Sequence, residues 1–126
     1  MGNNKYRGFR DLIVYKLSYN LAVEIFELTK TFPKEEKYSL IDQMRRSSRA
    51  VPALVAEAWS RRRYPKSFRH RLIDAEGEGS EITVWLDFSF DHNYLEKLQH
   101  EYFINKYEEV CRMLNSMIDK PEKFCH

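Results

Sequence analysis

A chain of 126 residues is long enough to bury one hydrophobic core and too short for two, so we expect a single domain over residues 1–126. Hydrophobic residues make up 43% of the chain, which excludes a disordered polar tail, and only four Gly and four Pro argue against an all-β fold. The net charge of +2 conceals a separation, because residues 43–71 carry nine cations and one acid whereas residues 72–126 carry twelve acids and five cations. This separation favours an anionic partner or head-to-tail packing of copies of the chain.

The N-terminal segment and the cysteines favour a cytoplasmic protein. Residues 1–10 are polar and lack the apolar run of a signal peptide, and no uncharged apolar stretch of about 18 residues is present to span a membrane. Cys111 and Cys125 have no metal-like spacing, and we expect reduced thiols rather than a disulfide framework.

Apolar residues recur three and four positions apart in four blocks, which predicts four α-helices. The first predicted helix spans residues 9–30 and carries two adjacent apolar stripes. One stripe contains Leu12, Tyr15, Tyr19, Ala22, Phe26 and Thr29, and the other contains Val14, Leu17, Leu21, Ile25 and Leu28. Together they are wider than one bundle seam needs, so the surplus predicts a contact with another subunit.

The second predicted helix spans residues 34–62 and contains Pro52. This proline removes one backbone donor and collides with the carbonyl four residues earlier. Because apolar spacing continues on both sides of Pro52, we expect one helix that is kinked near this residue rather than broken.

The third and fourth predicted helices span residues 66–91 and 94–118. Gly77 and Gly79 each cost about 1 kcal/mol relative to Ala in a helix interior, which predicts that a neighbouring backbone comes close there. Four helices with short loops predict an all-α, up-down-up-down antiparallel four-helix bundle. The alternative is a pair of helical hairpins that completes its core only in an oligomer.

The segment from Phe32 to Leu86 has a more specific pattern. It reads Phe32-Pro33-x-x-Glu36-x-Tyr38-x-Leu40-x-x-Gln43-x-Arg45-Arg46, then Val51-Pro52-Ala53, Ala56-Glu57, Phe68 and Gly79-Ser80, with Phe9-x-x-Leu12-x-x-Tyr15 ahead of it. Over about residues 9–94 the sequence resembles the bacterial four-helix bundle proteins encoded in intervening sequences of the large-subunit (23S) ribosomal RNA gene. The resemblance implies a left-handed antiparallel bundle, a homo-oligomer that in the family is typically a pentameric ring, and a role with nucleic acid.

The sequence departs from the family pattern at several polar positions. Leu54 and Ala58 stand where the family usually places Asn and Gly around the Ala-Glu pair. Thr83 stands where an acid commonly follows Gly-Ser, and Pro65 replaces the usual polar cap of the third helix. A function that depends on those polar side chains is expected to be lost or altered here, so the resemblance carries the fold more safely than the function.

Two basic clusters supply the candidate nucleic-acid-binding residues. The first contains Arg45, Arg46 and Arg49, and the four-residue spacing of Arg45 and Arg49 lets their guanidinium groups track adjacent phosphates. A solvated helix face, or pairing with the acidic fourth helix of another subunit, is the structural alternative for this cluster.

The second basic cluster spans the predicted turn between the second and third helices. Trp59, Tyr64 and His70 lie within it and suit stacking on unpaired bases, although a Trp at this spacing is more often part of a core. The cations of this cluster are Arg61, Arg62, Arg63, Lys66, Arg69 and Arg71.

No motif of catalysis or metal binding is present. The four histidines have no ligand spacing, and His100 follows Glu96 by four residues rather than the three that a di-iron bundle needs. No His and Asp constellation accompanies the serines. The carboxylates of Glu76, Glu78 and Glu81 are flanked by other charges, which favours an exposed face or one half of an intersubunit charge seam.

These patterns predict a non-enzymatic, self-associating protein without metal or cofactor. It is expected to bind RNA or other nucleic acid through the basic surface from Arg45 to Arg71. No membrane or small-molecule partner is indicated. The alternative is a purely structural scaffold whose opposite charges hold a homo-oligomer together, with no nucleic-acid binding.

Overall fold

In the computed structural model, the described residues 6–126 form four long α-helices and contain no β-strand. The predicted all-α four-helix fold is therefore confirmed, while residues 1–5 of the predicted domain lie outside the described range. The helices are α1 (Ile13–Thr29), α2 (Leu40–Ser60), α3 (Pro65–Asp91) and α4 (Lys97–Asp119). Three short 3₁₀ turns occupy Phe9–Asp11, Lys34–Glu36 and Pro121–Lys123.

Contacts between α2 and α3 show that these consecutive helices run antiparallel. Arg46 on α2 reaches Glu81 on α3, whereas Glu57, later on α2, reaches the earlier Arg71. The helices α3 and α4 are also antiparallel, because Asp87 near the end of α3 contacts His100 near the start of α4, whereas Arg69 near the start of α3 contacts Ile118 near the end of α4. The four helices therefore alternate in direction around one shared core.

Three of the four helices begin later in the structure than the sequence predicted. The first helix begins at Ile13 rather than residue 9, because a 3₁₀ turn precedes it and Leu12 has an extended backbone. The second begins at Leu40 rather than residue 34, after another 3₁₀ turn and the non-helical residue Ser39.

The fourth helix begins at Lys97 rather than residue 94. Here Glu96 and Gln99 form a capping box, in which each side chain accepts a hydrogen bond from the other residue's backbone N–H. By contrast, α2 continues through Pro52 to Ser60 as one helix, which agrees with the prediction that the helix is not broken there. The kink remains a prediction.

The core contains most of the predicted periodic residues, but the prediction is wrong for Leu98 and Tyr102 of α4, which are 76% and 41% exposed. On α1, Leu21 and Ile25 of one stripe are fully buried, while Leu17 and Leu28 of that stripe are partly exposed. In the other stripe, Leu12 and Ala22 are buried and Tyr19 is 52% exposed. The largest fully buried side chains are Tyr107, Phe68, Leu21, Ile25, Met44, Leu72, Ile82, Leu86, Leu114, Val51, Val55 and Val110.

The two glycines of α3 lie in different surroundings. A Cβ atom on Gly79 would lie 3.1 Å from the Sγ atom of Cys111 on α4, so a neighbouring helix packs closely at this residue through a side chain rather than through the predicted backbone. Nothing lies within 4 Å of the corresponding position at Gly77, so within one chain the same prediction is wrong for Gly77.

A carboxylate joins two turns at the end of the bundle where α2 begins. Glu36 accepts hydrogen bonds from the hydroxyl of Ser39 at 2.7 Å and from that of Tyr94 at 2.9 Å. Both bonds favour the charged carboxylate and lower the pKa of Glu36 below its ordinary value of 4.5. The stability that this shift provides is present above the ordinary pKa and is lost as the pH falls through the lower folded-state pKa.

We expect the Tyr94→Phe variant to lose less stability than the wild type on acidification, because one of the two bonds to Glu36 is absent. Urea unfolding at about pH 6 and about pH 3 measures this difference. Equal losses in the two proteins would show that the Tyr94 bond contributes nothing to acid sensitivity.

Candidate nucleic-acid interface

Three separate stretches of the chain bring cations to one end of the bundle. The ring of Tyr6 lies 6.0 Å from that of Trp59, so the N-terminal segment meets the end of α2. The backbone N–H of His126 donates to the carbonyl of Arg62 at 3.3 Å, so the C-terminus lies at the same place. We call this region the basic end; its cations are Arg7, Arg10, Arg61, Arg62, Arg63, Lys66, Arg69, Lys120 and Lys123.

The opposite end of the bundle carries an acidic depression. Its volume is about 610 Å³, and no lysine or arginine is among the residues that line it. The fold thus sorts the charge differently from the sequence, because Glu35 and Glu36 lie outside the acidic segment 72–126, whereas Lys120 and Lys123 of the basic end lie inside it. The lining residues of this depression are Glu35, Glu36, Asp91, His92, Asn93 and Tyr94.

Arg45 and Arg49 of the first basic cluster lie on the seam between α1 and α2. The Nε of Arg45 donates to the hydroxyl of Thr29 at 2.9 Å, and its guanidinium carbon lies 4.4 Å from the ring centre of Phe26. Arg49 lies 5.5 Å from the same ring and is more exposed. Arg45 is therefore occupied in holding the two helices together.

Arg46 joins α2 to α3 through two carboxylates of the same chain. Its guanidinium nitrogens lie 3.1 Å from Glu78 and 2.6 Å from Glu81. The hydrogen bond to Glu78 is the main cause of the raised pKa of Arg46. Arg71 contacts Glu57 at 3.7 Å across the same seam. Glu57, Glu78 and Glu81 therefore have partners within one chain. Two of the predicted nucleic-acid-binding residues, Arg46 and Arg71, are engaged in these ion pairs between α2 and α3.

We expect the Arg46→Met variant to unfold with a free energy about 0.5–1 kcal/mol lower than the wild type, because Arg46 is half-exposed and such pairs are screened. Since salt weakens the ion pairs, the difference should shrink in high salt. Urea unfolding at two salt concentrations measures it, with Arg49→Met as the matched control. A loss that does not change with salt would show that Arg46 acts through packing of its aliphatic stem.

Three cations of the second cluster face solvent without a partner. Arg61, Arg63 and Lys66 are exposed, and their side chains make no hydrogen bond or ion pair with any residue in the range 6–126. A free, exposed cation can meet a phosphate without first breaking a contact inside the protein.

Arg62 and Arg69, in contrast, are held by the fold. The Nε of Arg62 donates to the carbonyl of Trp59 at 3.0 Å, and its guanidinium carbon lies 3.7 Å from the centre of that indole ring. The Nε of Arg69 donates to the carbonyl of Ile118 at 3.0 Å and satisfies an acceptor in the last turn of α4. Both charges remain at the basic end, but in fixed positions.

A depression of about 320 Å³ lies among these cations. Tyr64 is 57% exposed at its edge, whereas Trp59 is half-buried and has Arg62 on its ring. Tyr64 is therefore the side chain more available for stacking. The depression is lined by Trp59, Ser60, Arg62, Arg63, Tyr64 and His126, the last of which the sequence did not indicate.

The N-terminus of α3 adds partial positive charge to the basic end. Pro65 is the first helical residue, and the preceding Tyr64 makes no side-chain hydrogen bond to the first turn. The first backbone N–H groups of a helix lack partners within the helix, and together with the helix dipole they favour an anion.

The structure also forms a histidine–carboxylate pair that the sequence did not reveal. His100 on α4 lies 2.8 Å from Asp87 on α3, beside a depression of about 330 Å³ that Ser80 and Cys111 also line. Burial raises the pKa of the Cys111 thiol, which disfavours the nucleophilic thiolate. Ser80 lies two helical turns, about 10 Å, from Asp87 and donates to Glu76 at 3.2 Å. Neither the raised pKa of Cys111 nor the hydrogen bond from Ser80 to Glu76 is the mark of an activated nucleophile.

Within residues 6–126, no three His, Cys, Asp or Glu side chains converge as a metal site would require. Within the same range, no helix combines the length and hydrophobicity needed to cross a bilayer. Cys111 and Cys125 are both free thiols.

The helix order and contacts define an all-α, antiparallel four-helix-bundle protein. The chain belongs to the family described as 23S rRNA-intervening sequence protein, whose model matches residues 10–116. It is similar to a solved protein of unknown function from the S23 ribosomal protein family of Bacteroides thetaiotaomicron, with 28% identity, a TM-score of 0.77 and coverage of 85% of this chain and 96% of that one. No curated protein matches the chain. The resemblance seen in the sequence is confirmed.

Proposed function

We propose that this protein is a non-enzymatic, self-associating protein of the cytoplasm that binds RNA through its basic end. The observation that carries the proposal is the group of exposed, unpartnered cations formed by Arg61, Arg63 and Lys66 beside the uncapped N-terminus of α3. Cations that serve only the fold have partners within the chain, as Arg46 and Arg71 do. These three have none among the described residues.

Phosphate neutralisation supplies most of the binding free energy in this proposal. Each cation that meets a phosphate releases condensed counterions, so affinity falls as salt rises. The exposed ring of Tyr64 beside Arg63 adds a stacking surface for an unpaired base, which favours single-stranded or looped RNA over a regular duplex. The family description names 23S rRNA, and RNA is for that reason the polyanion that we propose.

Self-association makes a small basic surface effective. One basic end offers few phosphate contacts, and several copies on one RNA raise the effective concentration of each. The α1 stripe that contains Tyr19 is incompletely buried, since Tyr19 is 52% exposed, and this supports a contact between copies.

The competing function is a structural scaffold without nucleic-acid binding. The observation that favours it is that several cations, including Arg45, Arg46 and Arg71, already hold helices of one chain together. Under this alternative, high salt changes the stability or size of the assembly and RNA binding is negligible.

A titration of the purified protein with labelled structured RNA and with an unrelated single strand separates the two functions. Low and near-physiological salt are compared, and light scattering gives the oligomer mass under each condition. Binding that weakens with salt supports the basic end as an RNA surface. No binding even at low salt refutes it and leaves the scaffold.

A further inference from the structure

The outer face of α3 is apolar where a lone bundle would carry charge. Ile73 is 45% exposed, Val84 47% and Phe88 47%. With Gly77 between them, these residues are spaced by four, seven and four positions and form one stripe on the helix side away from the core. We call this the α3 stripe. Gly77 destabilises the helix relative to Ala, and a Cβ atom there would meet nothing in its own chain, so the surface at Gly77 is open to another molecule.

A groove between α1 and α2 has the complementary shape. Its volume is about 540 Å³, and it is lined by aromatic side chains from α1 and by small side chains from α2. Ala53 and Ala56 leave the α2 backbone close to the surface, while Tyr19 and Phe26 form the opposite wall. We call this the α1–α2 groove. A helix with a narrow apolar ridge fits such a surface, because ridges of one helix pack between ridges of another.

The charges around the two surfaces are also complementary. Arg49 lines the groove, and Arg10 lies 4.5 Å from the ring of Phe9, which lines it as well. No acid is among the residues that line the groove. The α3 stripe is flanked by Asp74 and Asp87, whose side chains are 48% and 62% exposed. Each lies near a histidine of its own chain, His70 at 3.7 Å and His100 at 2.8 Å, but a carboxylate can accept from more than one donor. Opposite charge beside an apolar contact fixes its register and excludes other pairings.

We propose that the α3 stripe of one copy packs into the α1–α2 groove of the next copy. The proposal rests on the self-association proposed above and names the surfaces that carry it. Because two different surfaces meet, the contact is heterologous, and each dimer retains one free stripe and one free groove. When such contacts close into a ring, rotation about the ring axis keeps every basic end at the same height, so one RNA meets several of them together.

Two variants block one surface each. Ala53→Arg places a long cation in the groove, and Val84→Arg places one on the stripe; both residues are exposed in the folded chain. Asn115→Arg adds the same charge to an exposed position on α4 and is the control. By light scattering at micromolar concentration, the wild type and the control should be oligomers and the two blocked variants monomers. In an equimolar mixture, the intact stripe of the Ala53→Arg variant can pack into the intact groove of the Val84→Arg variant. The mixture should therefore form dimers but no larger oligomers, since the other groove and stripe of each dimer are blocked.

The Gly77→Ala variant tests the interface without a charge. In one chain the added methyl group meets nothing, so in the monomeric Ala53→Arg background the melting temperature should not fall. In the proposed contact between copies, the methyl group of Ala at this position overpacks the interface, so the dissociation constant of the assembly should rise about tenfold. Circular dichroism confirms that each variant is folded.

The possible outcomes have distinct meanings. An oligomeric wild type whose mass survives in both Arg variants refutes these surfaces and leaves self-association intact. Two monomeric variants that form no dimer on mixing refute the heterologous pairing. A monomeric wild type refutes the interface and self-association together, whereas the RNA titration decides the role of the basic end independently.

Discussion

Neutralising Arg61, Arg63 and Lys66 to Gln is expected to weaken RNA binding at near-physiological salt by about ten- to a hundredfold. Each of these cations that contacts a phosphate contributes close to one to the slope of log affinity against log salt, so the slope should become shallower by roughly two to three. Because the three side chains are exposed and make no hydrogen bond or ion pair with the described residues, the free energy of unfolding should stay within about 0.5 kcal/mol of the wild type.

A second triple variant removes the same net charge from the seams. Arg45, Arg46 and Arg71, again replaced by Gln, are engaged with Thr29, with two glutamates of α3 and with Glu57. This variant should lose stability and retain most of its RNA affinity and salt slope. Fluorescence anisotropy across a salt series, with urea unfolding on the same samples, compares the two variants.

Equal weakening of RNA binding in both triple variants would show that net charge, rather than the basic end, governs affinity. An unchanged affinity and slope in the basic-end variant would remove the proposed RNA surface altogether. Arg62 is left unchanged because its contact with Trp59 would mix a change in packing with a change in charge.

The helices were predictable because burial follows the helical period. On α3, Phe68, Leu72 and Leu86 are all fully buried, and Pro65 sets a start within one residue of the prediction. The predicted starts of the first two helices were wrong because a 3₁₀ turn places apolar and charged residues at nearly the same spacing as an α-helical turn.

The spacing of the cations along the sequence did not predict which of them make contacts within the chain and which remain free on the surface. Arg46 meets Glu78 and Glu81, which lie 32 and 35 residues away, so only the packing of α2 on α3 reveals the partners. Lys120 and Lys123 reach the basic end only because the chain returns there after α4. The positive charge of residues 43–71 was visible in the sequence, but its assignment to separate structural tasks requires tertiary contacts.

Truncating Phe68 to Ala is expected to lower the free energy of unfolding by about 3–5 kcal/mol, because a fully buried ring is replaced by a cavity. Phe68→Leu keeps most of the volume and should cost about 1 kcal/mol. Urea denaturation followed by circular dichroism measures both. A Phe68→Ala loss below about 1 kcal/mol would mean that the surrounding side chains collapse into the space.

Because of the position of Phe68, we expect its substitution by Leu to affect the basic end as well as stability. Its ring stacks on that of Phe124 at 6.2 Å, and Phe124 lies 6.1 Å from Tyr6, so one aromatic cluster connects α3 with segments near both chain ends. Those segments supply cations to the basic end. In the folded Phe68→Leu protein, hydrogen exchange should therefore quicken in residues 120–126 more than in the middle of α2, and RNA affinity should fall about two- to fivefold as those cations become less fixed. Faster exchange spread evenly over the helices, with unchanged RNA affinity, would assign the cluster to global stability alone.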